Sequence, residues 1–146
     1  MPPSLSDVGR VLGFGEGESR ALSQLHLITL IEEGLSISAL DRVSRSVAPE
    51  DATFKYRIVS RARLARRRKP GQDRLHGDES DRLVRLARVW TFATAVWGDE
   101  KAARDFFFRP HPLLDGRPPI DVVLASAMGA ELVGDILGRL AYGTAA

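Results

Sequence analysis

Apolar residues recur at every third or fourth position along most of the chain, which is the period of an amphipathic α-helix. The first such segment follows Ser19, which has the side chain of a helix N-cap, and places Leu22, Leu25 and Ile28 on one side. Gly34 follows the last apolar turn and predicts the end of the segment. The pattern therefore predicts one continuous helix from residue 19 to the residue before Gly34.

Caps and helix breakers divide the rest of the chain into shorter helices. The predicted helices cover residues 36–47, 49–56, 61–69, 78–97, 99–108, 119–124 and 132–140. An alternation of apolar and polar residues, which would indicate a strand, is limited to a short run at residues 56–59. The sequence therefore predicts an all-α protein.

Breaks in this pattern predict three parts. The first 18 residues contain two prolines and four glycines, which indicates a flexible N-terminal arm. A Pro-Gly pair at residues 70–71 ends the basic helix, and we place the main boundary shortly after it. The predicted parts are the arm at 1–18, a first helical domain at 19–74 and a second helical domain at 75–146.

Composition excludes several classes of function. Because the chain has no Cys, it has no disulfide, thiolate zinc site or cysteine nucleophile. Its three histidines do not share metal-ligand spacing, so we expect no metal, no cofactor and no enzymatic activity. No apolar run approaches the roughly 18 residues of a membrane span, and the N-terminus lacks a secretion signal. We therefore expect a cytoplasmic protein without a membrane partner.

The positive charge is concentrated in one short segment. Residues 55–77 carry nine basic side chains and one acidic side chain, whereas the flanking segments 1–54 and 78–146 are both mildly acidic. The whole chain has a formal net charge of only +2. Such a segment attracts phosphate backbones or acidic partners, which the rest of the chain would not attract.

The basic segment fits the plan of a helix-turn-helix, in which a short helix and a tight turn precede a helix that reaches the base edges of DNA. The predicted helix at 49–56, the turn at Ile58–Val59 and the helix at 61–69 correspond to these three parts. Leu64 is expected to face the core. The predicted DNA contacts are Lys55, Ser60, Arg61, Arg63, Arg66, Arg67, Arg68 and Lys69. The alternative interpretation of these residues is a solvated charged face, or a surface that binds an acidic protein.

The second half is rich in aromatic residues. Trp90 and Trp97 lie at helical spacing and are expected in the core. The three consecutive phenylalanines at 106–108 cannot all point inward, because successive helix positions differ by about 100°. At least one of them is therefore expected on the surface or in an interface. The proline-rich loop at 109–119 suits either partner docking or a rigid connection.

Several motifs in this half resemble a known family. They are Glu79 to Arg88, Trp97-Gly98-Asp99-Glu100-Lys101-Ala102, Arg109-Pro110-His111-Pro112-Leu113-Leu114-Asp115-Gly116-Arg117-Pro118-Pro119-Ile120-Asp121, Leu137-Gly138-Arg139-Leu140 and Tyr142-Gly143. Together they resemble the C-terminal toxin-binding domain of the Xre/MbcA/ParS antitoxins. The segment from Ile31 to Leu40 and the arginine-rich helix resemble the Xre-like helix-turn-helix of the same family.

The resemblance implies a type II antitoxin with an Xre-like helix-turn-helix bundle followed by a small helical toxin-binding domain. Such a protein would bind its own operator DNA as a homodimer. It would also cover the active site of a cognate RES-domain toxin that degrades NAD or transfers ADP-ribose, with the C-terminal tail inserted at that site. The implied toxin contacts are Phe107, Phe108, Arg109, His111, Leu114, Asp115, Gly116, Arg117, Arg139, Tyr142, Gly143, Thr144, Ala145 and Ala146.

The sequence leaves a second function open. A stand-alone transcription regulator would use the same basic helix, and its C-terminal half would serve only for dimerisation. The genomic neighbourhood distinguishes the two functions, since only the antitoxin requires an adjacent gene for a RES-domain protein.

Overall fold

The computed structural model describes residues 3–67, 71 and 73–143. Within these residues the chain folds into nine α-helices and two short 3-10 helices, without a named strand. The backbone pairing closest to a strand is a single antiparallel bridge between Ser36 and Arg74. The prediction of an all-α fold is therefore confirmed.

The α-helices are shorter and more numerous than the sequence pattern predicts. They are α1 Leu5–Val11, α2 Glu16–Arg20, α3 Gln24–Glu33, α4 Ile37–Val47, α5 Arg61–Arg67, α6 Gly77–Trp97, α7 Glu100–Phe108, α8 Pro119–Ala125 and α9 Ala127–Ala141. The 3-10 helices are Phe54–Arg57 and Pro112–Leu114. None of the described helices is long and apolar enough to cross a membrane.

The described part of the predicted N-terminal arm is folded, so the prediction of a flexible arm is wrong. The Ser4 hydroxyl caps α1 by accepting a hydrogen bond from the Asp7 N–H at 3.2 Å. Val8 and Leu12 are buried. The frequent glycines of this segment indicate a low helix propensity, and for that reason the sequence did not predict α1. A short helix of this kind depends on packing more than on helix propensity.

The helix predicted to start at Ser19 is interrupted. Ser19 lies inside α2, where it is buried and its hydroxyl donates to the Phe14 carbonyl oxygen at 3.3 Å. The cap of α3 is instead Ser23, whose hydroxyl oxygen accepts a hydrogen bond from the His26 N–H at 3.0 Å. Ser19 and Ser23 lie four residues apart and carry the same side chain, so either suits an N-cap. The apolar pattern alone does not show which of the two begins the helix.

The chain divides into two compact units between Val84 and Arg85, within α6. This division lies beyond residue 74, where the sequence places the boundary. In the N-terminal unit the buried side chains include Leu40, Val43, Val47, Phe54, Leu64 and Leu83. In the C-terminal unit they include Trp90, Phe107, Ile120, Val123, Val133 and Leu137. Each unit therefore has apolar side chains removed from water, which stabilises it.

A short backbone pairing ties the loop after α3 to the segment that leads into α6. The Leu75 N–H donates to the Leu35 carbonyl oxygen at 2.8 Å, and the Ile37 N–H donates to the Asp73 carbonyl oxygen at 2.9 Å. Gly34 makes this approach possible, since it has a φ of +93° and a Cβ at this position would overlap the carbonyl oxygen of Leu75. The end of α3 is therefore fixed by both conformation and space.

The C-terminal unit contains a second close approach. A Cβ on Gly129 of α9 would overlap the carbonyl oxygen of Val122 in α8, so these two helices pack closely at this glycine. Arg85 satisfies the end of α8, because its guanidinium donates to the Val123 carbonyl oxygen at 3.1 Å. These contacts join α8 to α9 and to Arg85 of α6.

We predict that Gly34→Ala destabilises the chain by at least about 2 kcal/mol, because the new Cβ adds a backbone overlap to a conformation that L side chains rarely adopt. Gly71→Ala is the matched control, since Gly71 has a similar φ of +82° and no atom near the position of a Cβ. Thermal unfolding followed by circular dichroism measures both. Equal losses in the two variants would contradict a role for the overlap with Leu75.

Candidate functional site

The turn before α5 is built as a helix-turn-helix requires, although its first helix is short. Residues 49–56 do not form the predicted α-helix, and only the 3-10 helix Phe54–Arg57 occurs there. Asp51 explains part of this difference, since its carboxylate accepts from both the N–H and the hydroxyl of Thr53 at 2.9 and 2.5 Å. Side-chain bonds of this kind compete with helical backbone bonds. The hydrogen bonds from Thr53 also lower the pKa of Asp51.

The N-terminus of α5 is capped and anchored. The Ser60 hydroxyl oxygen accepts from the Arg63 N–H at 3.3 Å. Ile58 and Val59 are buried in the preceding turn, and Leu64 is buried one helical turn into α5. The inward direction predicted for Leu64 is therefore confirmed. Ser60 acts as the helix cap, so the structure gives it a local structural role beside its predicted DNA contact.

Three of the predicted DNA-binding arginines share the exposed side of α5. Arg61, Arg63 and Arg66 all reach solvent. The guanidinium of Arg61 lies 4.0 Å from the centroid of the Tyr56 ring, a cation–π geometry that holds its position. Arg63 keeps 51% of its side chain exposed. Three exposed cations on one short helix suit a polyanion.

Arg67, another predicted DNA contact, is held in an internal ion pair, whereas the other described arginines of α5 are exposed. Arg67 is buried, and its guanidinium donates a hydrogen bond to the carboxylate of Glu79 on α6. A second nitrogen of the same guanidinium lies 3.0 Å from Nδ1 of His76. The sequence segment around α5 contains no acidic residue, but the fold supplies one from twelve positions further along the chain.

Glu79 is the buried centre of this arrangement. Besides Arg67, its Oε1 accepts from the His76 N–H at 2.8 Å, and its Oε2 lies 3.6 Å from the guanidinium of Arg63. Burial raises the pKa of Glu79. The hydrogen bonds from the His76 N–H and the Arg67 guanidinium lower the pKa by more than burial raises it, so the net pKa lies below the usual value. The carboxylate is therefore held in its charged form.

The remaining predicted contacts differ in their surroundings. Lys55 is partly buried, with its ammonium 3.9 Å from a carboxylate oxygen of Asp41 and 5.6 Å from the centroid of the Tyr56 ring. This ion pair reduces its availability to a phosphate. Arg68 and Lys69 lie outside the described residues.

An open cleft lies beside the C-terminal part of α5, with a volume of about 610 Å³. Its described lining contains four arginines and includes four residues that were not among the predicted DNA contacts. The described lining residues are Arg63, Arg66, Arg67, Gly71, Asp73, Arg74 and His76. Arg74 also donates from its guanidinium to the Gly34 carbonyl oxygen at 2.9 Å. Only the three-dimensional pairing of the 73–75 segment with the loop after α3 could reveal Arg74 as part of this site.

In the C-terminal unit, the structure places two of the predicted partner contacts, Phe107 and Leu114, in the interior. Phe107 is fully buried, with its ring 5.6 Å from the ring of Trp90 in an edge-to-face arrangement. Leu114 is also buried, beneath the proline-rich loop. Phe108 is 40% exposed, which confirms that at least one of the three phenylalanines reaches the surface.

The proline-rich loop is organised around His111. The His111 N–H donates to the Arg117 carbonyl oxygen at 3.2 Å, and the His111 carbonyl oxygen accepts from the N–H groups of Leu114 and Gly116, each at 3.0 Å. Its ring Nδ1 accepts from the Leu113 N–H at 3.1 Å. The ring also lies edge-on to Phe106 at 5.9 Å. The loop therefore has a defined shape and presents its tip to solvent.

The other predicted partner contacts are exposed where they are described. They are Arg109, Asp115, Gly116, Arg117, Arg139, Tyr142 and Gly143, whereas Thr144, Ala145 and Ala146 lie outside the described residues. Asp115 has a φ of +55° and Gly116 a φ of +81°, which form the sharp turn at the loop tip.

The structure also exposes apolar side chains that sequence reasoning missed. Met128 at the start of α9 is 80% exposed, and Leu132 one turn later is 43% exposed. Trp97 and Leu113 are similarly accessible. The sequence placed Trp97 in the core, because it fits the apolar period of its helix. Large exposed apolar side chains in one small unit indicate a partner surface.

Comparisons with known proteins agree with this division of the chain. Residues 26–88 match the model of the antitoxin Xre-like helix-turn-helix domain, and residues 92–143 match the antitoxin Xre/MbcA/ParS C-terminal toxin-binding domain. A curated relative, the antitoxin Xre of Yersinia enterocolitica serotype O:8 / biotype 1B (strain NCTC 13174 / 8081), is 29% identical over 118 residues. The alignment covers 80% of this chain and 79% of the relative.

We predict that Glu79→Gln lowers the free energy of unfolding by about 3–5 kcal/mol, because it leaves the Arg67 guanidinium buried without its counter-charge. Asp78→Asn is the matched control: it removes the same charge from an exposed position in the same helical turn and should cost less than about 1 kcal/mol. Chemical denaturation at neutral pH measures both values.

The same pair predicts an acid dependence. Because the folded pKa of Glu79 is lowered, its contribution to stability is present above the unfolded pKa of about 4.3 and is lost as the pH falls through the folded value. Unfolding free energies measured from neutral to acidic pH should therefore fall less steeply in Glu79→Gln than in the parent. Parallel pH profiles would show that Glu79 does not make this contribution.

Proposed function

Because the chain belongs to the Xre/MbcA/ParS antitoxin family, we propose that it neutralises a RES-type toxin by covering the toxin's active site and represses its own operon. The chain is an antitoxin of a toxin–antitoxin system with a helix-turn-helix DNA-binding domain. The RES identity of the toxin, the ADP-ribosylating or NAD-consuming chemistry that is inhibited and the homodimeric state are parts of the proposal.

The observation that carries the proposal is the presence of both domains in one chain, each with a surface suited to its partner. The N-terminal unit presents three exposed arginines along α5. The C-terminal unit presents a rigid proline-rich loop and exposed apolar side chains, with Phe108 close to the loop in sequence. One surface suits a polyanion and the other suits a protein.

For DNA binding, α5 acts as the recognition helix. Its N-terminal residues, Arg61 and Arg63, lie where a recognition helix contacts base edges, and Arg66 lies one turn later, where phosphate contact is expected. Two copies of the chain would place two such helices on the half-sites of a palindromic operator. Phosphate contacts supply affinity, while contacts to base edges supply specificity.

For toxin binding, the proposed mechanism is steric coverage rather than chemistry. The chain carries no charged side chain after Arg139, so its last residues suit an enclosed nucleotide-binding cleft. Tyr142 is 66% exposed at the end of α9 and makes the largest side chain of this tail. Arg139 stands at the surface in the last turn of α9, where it would meet acidic groups or phosphate at the cleft entrance.

We predict that the double variant Arg61→Ala, Arg66→Ala weakens operator binding and lowers the slope of log K against log salt by about one, since Arg66 is the expected phosphate contact and Arg61 is expected to contact a base edge. Fluorescence anisotropy with an operator duplex over a salt series measures the slope. Arg88→Ala, which removes an exposed arginine of α6, is the control and should leave it unchanged. An unchanged slope in the double variant would assign α5 to another partner.

We predict that deletion of residues 142–146 abolishes toxin neutralisation while leaving the antitoxin folded, because Tyr142 and Gly143 are exposed. The assay is co-expression with the adjacent toxin gene, followed by pull-down and measurement of cellular NAD. A complex that still forms but no longer protects NAD would match active-site coverage by the tail. Full protection by the deletion variant would contradict it.

A second variant tests the apolar surface separately from the tail. Met128→Ser combined with Leu132→Ser should reduce co-purification of the toxin, since both side chains are exposed on α9. Leu25→Ser is the matched control, because Leu25 is 72% exposed on α3 in the N-terminal unit. Absence of any co-purifying toxin with the parent chain would favour the stand-alone regulator.

A further inference from the structure

We propose that the cleft beside α5 is a preformed site for one phosphodiester group of the DNA backbone, bound by Arg63, Arg66 and Arg74. The inference rests on the proposed operator binding and extends it to Arg74, which follows α5 along the chain. The site would fix how α5 lies on the duplex, since a backbone contact sets orientation without reading sequence.

The first argument is the composition of the cleft. Among the described lining residues, four guanidinium groups and the His76 ring surround a volume of about 610 Å³, together with one carboxylate from Asp73. Such a volume accommodates a phosphodiester with its flanking sugar atoms. Guanidinium groups suit this ligand because their planar N–H donors match pairs of phosphate oxygens.

The second argument is how so many cations are held together. Arg67 is neutralised by Glu79, which lies beneath the cleft and is almost fully buried. Oε2 of the same carboxylate forms no hydrogen bond in the described structure and lies 3.6 Å from the Arg63 guanidinium. One buried anion therefore offsets the mutual repulsion of its neighbours, while Arg63 remains half exposed to meet a ligand.

The third argument is the fixed position of Arg74. Its guanidinium donates to the Gly34 carbonyl oxygen, and its backbone lies in the segment paired with residues 35–37. The side chain is thus held at one edge of the cleft before any ligand arrives. Preorganisation of this kind reduces the entropy lost on binding.

The cleft suits a phosphodiester of a polymer better than a free phosphate. It is open to solvent, and the exposed Arg61 and Arg63 continue the positive surface along α5. A free phosphate would contact only the cleft, whereas a DNA strand would contact both the cleft and α5. Affinity from several such contacts rises with each counterion released.

The test compares operator binding by full-length Arg74→Gln with the parent chain. The amide of Gln retains a donor for the Gly34 carbonyl oxygen but removes the charge. We expect a salt slope lower by about 0.9 and affinity lower by roughly 5- to 10-fold at about 0.1 M salt. Arg45→Gln, which removes an exposed arginine of α4, is the matched control and should change neither quantity. Thermal unfolding establishes that each variant is folded at the assay temperature.

Two further arms make the outcome decisive. Arg66→Gln should reproduce the change in slope, since Arg66 lines the same cleft without depending on the Gly34 hydrogen bond. Inorganic phosphate, exchanged for chloride at constant ionic strength, should not displace the operator, because one free anion does not span the cleft and α5.

An unchanged salt slope in folded Arg74→Gln and Arg66→Gln would overturn the inference while leaving operator binding by the parent intact. Displacement of DNA by inorganic phosphate, together with an unchanged slope, would assign the cleft to a free anion and also overturn it. Failure of the parent chain to bind operator DNA would instead refute the proposed repressor function.

Discussion

The carboxylate of Glu79, buried in the first turn of α6, accepts hydrogen bonds from the guanidinium of Arg67 and the N–H of His76. It thereby joins the recognition helix, the segment after it and α6 at one point. Removing two charges from water is costly, and the pairing of Arg67 with Glu79 offsets part of that cost. The arrangement of the basic surface depends on this point, because Arg63 is drawn toward the same carboxylate and Arg67 is withdrawn from solvent.

A second set of contacts joins the loop after α3 to the segment that leads into α6 and to α6 itself. The loop after α3 pairs with residues 73–75, and Leu35 also donates its N–H to the buried hydroxyl of Ser80 at 2.9 Å. Ser80 directly follows Glu79, so hydrogen bonding at two adjacent residues of α6 fixes two different loops. The N-terminal unit is thus held by a few polar contacts between distant parts of the chain, around an apolar interior.

Much of the fold could be predicted from local patterns, because helix periods, caps and breakers act over a few residues. The caps Ser36 and Asp99 accept the expected N–H groups, and the all-α fold follows from the same period. The burial of Arg67 could not be predicted from the sequence. The segment around it contains no acidic residue, so nothing in that segment indicates that a carboxylate from α6 lies beside it. The burial of Phe107 and exposure of Leu132 depend likewise on which face of a helix meets its neighbours, which periodicity alone does not settle.

The rings of Trp90, Phe107, Phe106 and His111 follow one another at 5.6 to 6.0 Å, from the interior of the C-terminal unit to the proline-rich loop. This series of ring contacts fixes the rotation of α7 about its own axis, with Phe107 facing inward and Phe108 facing outward. Phe108 is 40% exposed and is not one of these four rings, so we expect its substitution to disturb the rotation of α7 less than substitution of Phe107. A one-residue insertion or deletion in α7 would turn the helix by about 100° and exchange the inward and outward rings. We therefore expect the length of α7 to be more constrained than the identity of its outward residue.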